Sequence, residues 1–246
     1  MLTLIHTNDF HGRLRPPVSG RLRSVVEAEA GDLLLDAGDA VTAGNLGIRP
    51  GGEPILPLMS ELGYAAMTVG NRETHPRKEV FPHKVAGARF PILSANLTPK
   101  AGAANPTTPH ALLERNGIRI GVVGVTVPMF TRKQWSQALC DYWFTDPIVT
   151  MQQQARLLRP QVELLVALTH IGFRRDCELA ERCPELDLVV GGHSHTRLEA
   201  PEWRGACAVV QAYCHAFYAG VGRIEIEAGR GRLRGWKTVP LREDSQ

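Results

Sequence analysis

The chain has 246 residues, 43% of them hydrophobic, which is enough for one sizeable core. Its 28 basic and 25 acidic residues leave a formal charge of +3, a surplus that suits an anionic substrate but is too small for a nucleic-acid surface, so no stable nucleic-acid partner is expected. Five cysteines (Cys140, Cys177, Cys183, Cys207, Cys214) without CxxC spacing argue against a disulfide framework or zinc knuckle. With no signal-like leader and no apolar stretch near the ~20 residues of a membrane span, the expectation is a cytoplasmic protein with reduced thiols and no membrane association.

The first apolar run, Leu2 to Ile5, is short and unbroken by alternation, as in a strand buried on both faces. A helix is expected from Ser19, burying Leu22, Val25 and Val26 and stopping at Gly31. Leu33 to Leu35 reads as a second strand, Pro54 to Leu62 as a helix ended by Gly63, and Ala65 to Val69 as a third strand. The stretch from Thr98 to Pro109, rich in Pro, Ala and Thr, reads as a surface loop. Between Ala111 and Val125, Asn116-Gly117 joins two β-rich arms and signals a type I′ hairpin. Asp146 and Pro147 supply an N-cap and first-turn proline for a helix with apolar Ile148, Met151, Ala155 and Leu158, closed by Pro160. Leu164 to Leu168 and Leu186 to Val190 are further strands. A last hairpin follows, with Val221 to Glu227 as one arm, a turn at Gly229 to Gly231, and Leu233 to Val239 returning. Alternating strands and helices with added hairpins predict an α/β fold of two packed sheets with outer helices.

The polar residues fall in a pattern. Asp9 and His11 follow the first of the five apolar runs, Asp39 the second, Asn71 the third, His170 the fourth, and His193 and His195 the fifth. Ligands collect at the carboxyl ends of strands in α/β sheets, so one edge would gather all of these side chains. Singly, each has an ordinary explanation as a turn, capping or packing residue; the ordered set points to metal binding. Oxygen and imidazole donors without thiolate suit Mn, Zn, Fe, Co, Ni or Mg, with manganese the first expectation. Seven ligands exceed one tetrahedral site but suit two divalent ions about 3.5–4 Å apart sharing a carboxylate. Such a pair would attract a phosphate dianion and acidify a bound water, so attack on phosphorus is the expected reaction.

Asn8-Asp9-Phe10-His11-Gly12, Gly38-Asp39, Gly70-Asn71, Thr169-His170 and Gly192-His193-Ser194-His195 resemble, in order and spacing, the motifs of the calcineurin-like metallophosphoesterases. His6-Thr7-Asn8-Asp9 and Ser94-Ala95-Asn96-Leu97 are similar to the 5′-nucleotidase/UDP-sugar hydrolase branch. The resemblance implies a four-layer α-β-β-α sandwich in which two mixed sheets are flanked by helices. It also implies that Asp9, His11 and His195 hold one metal, that Asn71, His170 and His193 hold the other, and that Asp39 bridges.

The resemblance breaks after the metal-binding asparagine. The family has a His there, paired with an Asp three positions later; this chain has Asn71-Arg72-Glu73-Thr74-His75. Arg72 is expected to clamp phosphate oxygens and His75 to protonate the leaving group through a rearranged loop. The nucleotidase branch also has a C-terminal nucleotide-binding domain, whereas residues 1–246 are expected to form the catalytic domain alone. Asn45, Tyr213, His215 and Phe217 are candidates for lining a substrate pocket. His6 is expected in a strand, and His83 and His110 at the surface. Gly220-Val221-Gly222 does not form a dinucleotide fingerprint, and the basic pieces Arg13 to Arg23 and Arg230 to Lys237 read as solvated faces. The expected activity is hydrolysis of a nucleotide or another small phosphorylated metabolite. Alternatives are a cyclic-nucleotide or other phosphodiesterase and a non-catalytic interaction module that keeps the fold.

Overall fold

The computed structural model describes residues 1–130 and 135–242. In chain order the strands are β1 (Leu2–Thr7), β2 (Leu33–Asp36), β3 (Ala66–Thr68), β4 (Ile92–Leu93), β5 (Leu97–Pro99), β6 (His110–Arg115), β7 (Ile118–Thr126), β8 (Tyr142–Phe144), β9 (Leu164–His170), β10 (Leu188–Val190), β11 (Glu202–Arg204), β12 (Cys207–Val210), β13 (Tyr218–Glu227) and β14 (Arg230–Pro240). The α-helices are α1 (Val18–Ala28), α2 (Ile55–Glu61), α3 (Val80–Val85), α4 (Pro147–Leu158) and α5 (Phe173–Arg182).

Two six-stranded mixed sheets carry the molecule, ordered β14-β13-β1-β2-β3-β4 and β11-β12-β10-β9-β7-β6, with β5 and β8 forming a separate pair. In the first sheet β1 to β4 run parallel, and the β13–β14 hairpin adds antiparallel strands beside β1. In the second, β12, β10, β9 and β7 run parallel, with β11 and β6 antiparallel at the two edges. Strands covered on both faces must be apolar throughout, which is why the runs show no alternation.

Three apolar layers separate these elements. Leu4 and Leu35 of the first sheet meet Val122 and Val166 of the second in an inter-sheet core. All four are fully buried, each contributing about 1.5–3 kcal/mol. Ile5, Leu34 and Met67 turn to the other face of the first sheet and pack with Leu22, Met59 and Phe81 of α1, α2 and α3. Leu165, Ala167 and Val189 do the same in the second sheet with Ile148, Met151 and Leu179 of α4 and α5. The result is the expected α-β-β-α sandwich.

Local signals explain most boundaries. Asp146 caps α4 by accepting hydrogen bonds from the Ile148 and Val149 amides at 2.9 and 3.0 Å. Asn116 and Gly117 take the two left-handed conformations, φ 52° and 73°, that a type I′ turn requires. The last hairpin turns earlier than Gly229 to Gly231: Ala228 and Gly229 are left-handed, and Glu227 pairs with Arg230. Likewise α1 ends before a left-handed Ala30 rather than at Gly31. Neither α3 nor α5 was expected from the sequence; α5 is amphipathic, burying Asp176, Cys177, Leu179 and Ala180 among its charged residues.

His6 lies in β1 as expected and is fully buried, stacked on Trp236 with ring centroids 5.3 Å apart. His83 and His110 are half-buried rather than free at the surface, paired with the Arg49 carbonyl and the Gln154 amide oxygen. All five cysteines are free and buried. Among the described residues no helix is long and apolar enough to cross a membrane.

Candidate metal centre

The ligand-bearing segments leave the carboxyl ends of β1, β2 and β3 in one sheet and of β9 and β10 in the other. The site therefore joins two sheet edges, not the single edge that the strand pattern suggested. The segments after β1, β2 and β10 turn abruptly: Asp9 (φ 53°), His11 (49°), Asp39 (56°), His193 (77°) and His195 (52°) are all left-handed. That conformation costs a non-glycine residue roughly 1–3 kcal/mol and persists only where its surroundings over-determine it.

Here backbone bonds and one buried carboxylate do so. The Asp9 amide donates to the Gly38 carbonyl and the His11 amide to the Asp39 carbonyl, both at 2.9 Å. Glu73, fully buried, accepts from the amides of Asp39 (2.9 Å), Val41 (3.0 Å) and Gly70 (2.7 Å). The loops are then so close that a Cβ on Gly70 would lie 2.1 Å from Asp39 Oδ1, and one on Gly38 would lie 2.7 Å from the Gly70 nitrogen.

This geometry brings the seven residues together. Asp9 Oδ1 lies 3.3 Å from His195 Nε2 and 3.7 Å from His11 Nε2. Asp39 reaches both groups, with Oδ2 at 3.4 Å from His11 Nε2 and Oδ1 at 3.4 Å from His170 Nε2. Asn71 Oδ1 is 3.2 Å from His170 Nε2, and the His193 ring centroid is 5.0 Å from that of His170. In two overlapping sets, Asp9/His11/His195 and Asp9/Asp39/His170, the ligand atoms all lie within 4.8 Å of one another.

The residues fit divalent ions. Asp9 Oδ1 and His11 Nε2 are buried without a hydrogen-bond partner, although a buried polar atom left unpaired costs about 1–3 kcal/mol. Both point into the cluster, and oxygen and imidazole donors without thiolate are the chemistry of hard to borderline metals. His170 donates from Nδ1 to the Ala37 carbonyl at 2.7 Å, the outer bond that aims Nε2 at a metal.

Burial pushes the Asp9 carboxyl up, but the neighbouring His11 and His195 imidazoles outweigh it and hold the group below the usual carboxylate range. Asp39 is likewise raised by burial and lowered further by His170 and His11. Burial would lower His170, yet the Asp39 charge lifts it to about 10 in the metal-free protein. His193 is lowered by burial and then by the His170 charge.

The other candidates are placed as follows. Asn45 Oδ1 accepts from Asn71 Nδ2 at 2.9 Å, leaving Asn71 Oδ1 for His170. Arg72 Nε lies 3.8 Å from Asp39 Oδ2, while its Nη1 donates to the Thr42 carbonyl. His75 is half-buried, and its Nδ1 accepts from the Arg77 amide; among the described residues no hydrogen bond or ion pair joins it to the ligand group. His215 places Nε2 2.9 Å from His11 Nδ1. Tyr213, exposed, forms an aromatic cluster with Phe217 and Tyr218 at centroid distances of 5.8 and 6.3 Å.

Sequence reading missed Glu73 as the acceptor that joins two loops. Its one signal is an acid beside a glycine-rich turn whose amides need an acceptor. It also missed Gln211, which binds Asp176 Oδ2, the Gly192 carbonyl and Ser194 Oγ behind the paired histidines.

Fold and donor set together are those of the metallophosphoesterase class. The chain belongs to the calcineurin-like phosphoesterase family, whose profile matches residues 2–197. It is similar to a 5′-nucleotidase of Vibrio cholerae, 29% identical over 98% of this chain and 51% of the relative. UshA of Escherichia coli is 26% identical over 98% of this chain and 52% of its own length. A solved structure, the 5′-nucleotidase precursor of Thermus thermophilus, superposes with a TM-score of 0.79 at 27% identity, covering 96% of this chain and 53% of that one. The chain thus spans about half the length of these relatives.

Proposed function

We propose that the protein is a two-metal phosphatase acting on nucleotides or another small phosphorylated metabolite. The observation that carries this reading is the pair of unpaired buried atoms, Asp9 Oδ1 and His11 Nε2, facing each other beside an Asp39 that touches both imidazole groups. Two divalent ions bound there supply positive charge for the phosphate and lower the pKa of attacking water. Asp9, His11 and His195 would hold one, Asn71, His170 and His193 the other, with Asp39 shared.

The protein's own residues orient the substrate. The Arg72 guanidinium, held beside Asp39 by the Thr42 carbonyl, is planar and permanently charged, suited to gripping two phosphate oxygens. Tyr213 and Phe217 offer rings on which a base can stack. His75 would serve as leaving-group acid once the 72–77 segment brings it to the phosphate. The names of the relatives, 5′-nucleotidase among them, favour a nucleotide.

The test is metal analysis of the purified chain with hydrolysis of nucleoside 5′-monophosphates, p-nitrophenyl phosphate and bis-p-nitrophenyl phosphate under Mn, Co, Ni, Zn and Mg. Two bound metals and monoester turnover are expected; diester turnover alone would make it a phosphodiesterase. No metal and no hydrolysis would overturn the reading.

A further inference from the structure

His11 and His170 approach Asp39 alike, but their far nitrogens are fixed differently. The His170 Nδ1 partner is a backbone carbonyl, which can only accept, so the tautomer is set by the main chain. The His11 Nδ1 partner is the ring of His215, which is 204 residues away in sequence, at 2.9 Å. For His11 to offer the Nε2 lone pair, its Nδ1 must carry the proton and donate it, so His215 Nε2 must accept. The His215 proton then sits on Nδ1, which lies 3.6 Å from Cys214 Sγ.

The loop that brings His215 there is tied to the Asp9 turn. Asn8 Oδ1 accepts from the Ala212 amide at 3.0 Å, Asn8 Nδ2 donates to the Tyr213 carbonyl, and the His215 amide donates to the Asp9 carbonyl at 2.7 Å. Within it Tyr213 (φ 77°), His215 (54°) and Ala216 (58°) are left-handed without being glycine. Backbone strain of this kind is held only by surrounding contacts, and here those contacts set the His215 ring on His11, at a centroid distance of 4.8 Å.

We infer that His215 is a positioning residue: it accepts the His11 Nδ1 proton and fixes the tautomer that presents Nε2 to the metal held by Asp9, His11 and His195. This rests on the two-metal reading above. His215 is not itself a ligand; it acts on one of the two metals through His11 and leaves the His170 side to its backbone carbonyl.

Two variants of the full chain test it. His215→Asn suits left-handed backbone but is too short to reach His11, whereas the amide oxygen of His215→Gln can replace Nε2 as acceptor. Cobalt titration of each metal-free protein, followed by visible absorption and bound-metal analysis, reports the two sites separately, and thermal melts of the metal-free forms report folding. The wild type should bind two cobalt ions. His215→Asn should bind one of them roughly 10–100-fold more weakly, the effect usual for losing an outer partner of a ligand, with the other site and the metal-free melt unchanged. His215→Gln should recover most of the loss. Two wild-type affinities in His215→Asn, or equal loss at both sites with a lowered melt, would overturn the inference, the second outcome showing a purely structural loop. A wild-type chain that binds no cobalt would overturn the two-metal reading, and this inference with it.

Discussion

The two halves of the site are built by different means. His170 itself is fully buried and its orienting partner is a main-chain carbonyl, although its neighbours His193 and Asn71 are exposed and half-buried, respectively. Around His11 and His195 the histidines are only partly covered, and the orienting partner of His11 is another side chain. One half is thus fixed by the sheet framework itself, the other by a loop that reaches back from the end of the chain. The second should be the easier to perturb without unfolding the protein.

Asp39 is the point where the halves meet, so its loss should erase the distinction. Asp39→Ala is expected to abolish binding at both metals and reduce turnover by more than the ~10–100-fold of an outer partner; metal content and activity measured together would show it. Retention of one tight metal would mean that Asp39 serves one half only.

Glu73→Ala should break the framework half. It leaves three backbone amides without their acceptor in a buried place, at about 1–3 kcal/mol each, so chemical denaturation should show a loss of several kcal/mol. A change below about 1 kcal/mol would show that water enters and replaces the carboxylate.

Proton linkage sharpens the comparison. Burial lowers His170, but Asp39 raises it to about 10 without metal, so between the ordinary histidine range and that value metal must displace a proton from it. Metal uptake at pH 8 should therefore release protons, detectable by calorimetry in buffers of different ionisation enthalpy, and affinity should rise with pH until about 10. The sign for stability is the reverse. The protonated His170 pairing stabilises the metal-free fold below pH 6.5 and is lost as pH rises through the folded value.

The smallest effect is expected at His75, which touches neither half directly. His75→Ala should lower turnover of alkyl phosphates more than that of p-nitrophenyl phosphate, whose leaving group needs no proton. Equal losses on both substrates would remove His75 from the chemistry.

Much of the framework was legible beforehand because it rests on local rules. Unbroken apolar runs marked β1, β2, β3, β9 and β10, Asp146 and Pro147 marked the start of α4, and Asn116-Gly117 fixed one hairpin. The turn at Ala228-Gly229 was misplaced because alanine carries no left-handed signal and adopts that conformation only under the pairing of β13 with β14. Helix α5 was missed because its apolar stripe is narrow and its buried Asp176 looks, in sequence, like another surface charge.

The sequence by itself determined the donor chemistry of the seven side chains, since each follows an apolar strand and residue type dictates which atoms it offers. What the tertiary structure decided is how they are divided and supported. Two sheets bring two edges together, Asp39 faces both imidazole groups, Glu73 ties their loops, and His215 meets His11. Those contacts join residues up to 204 positions apart. Local propensity and periodicity act over a turn or a strand, so contacts at that separation arise only once the layers pack.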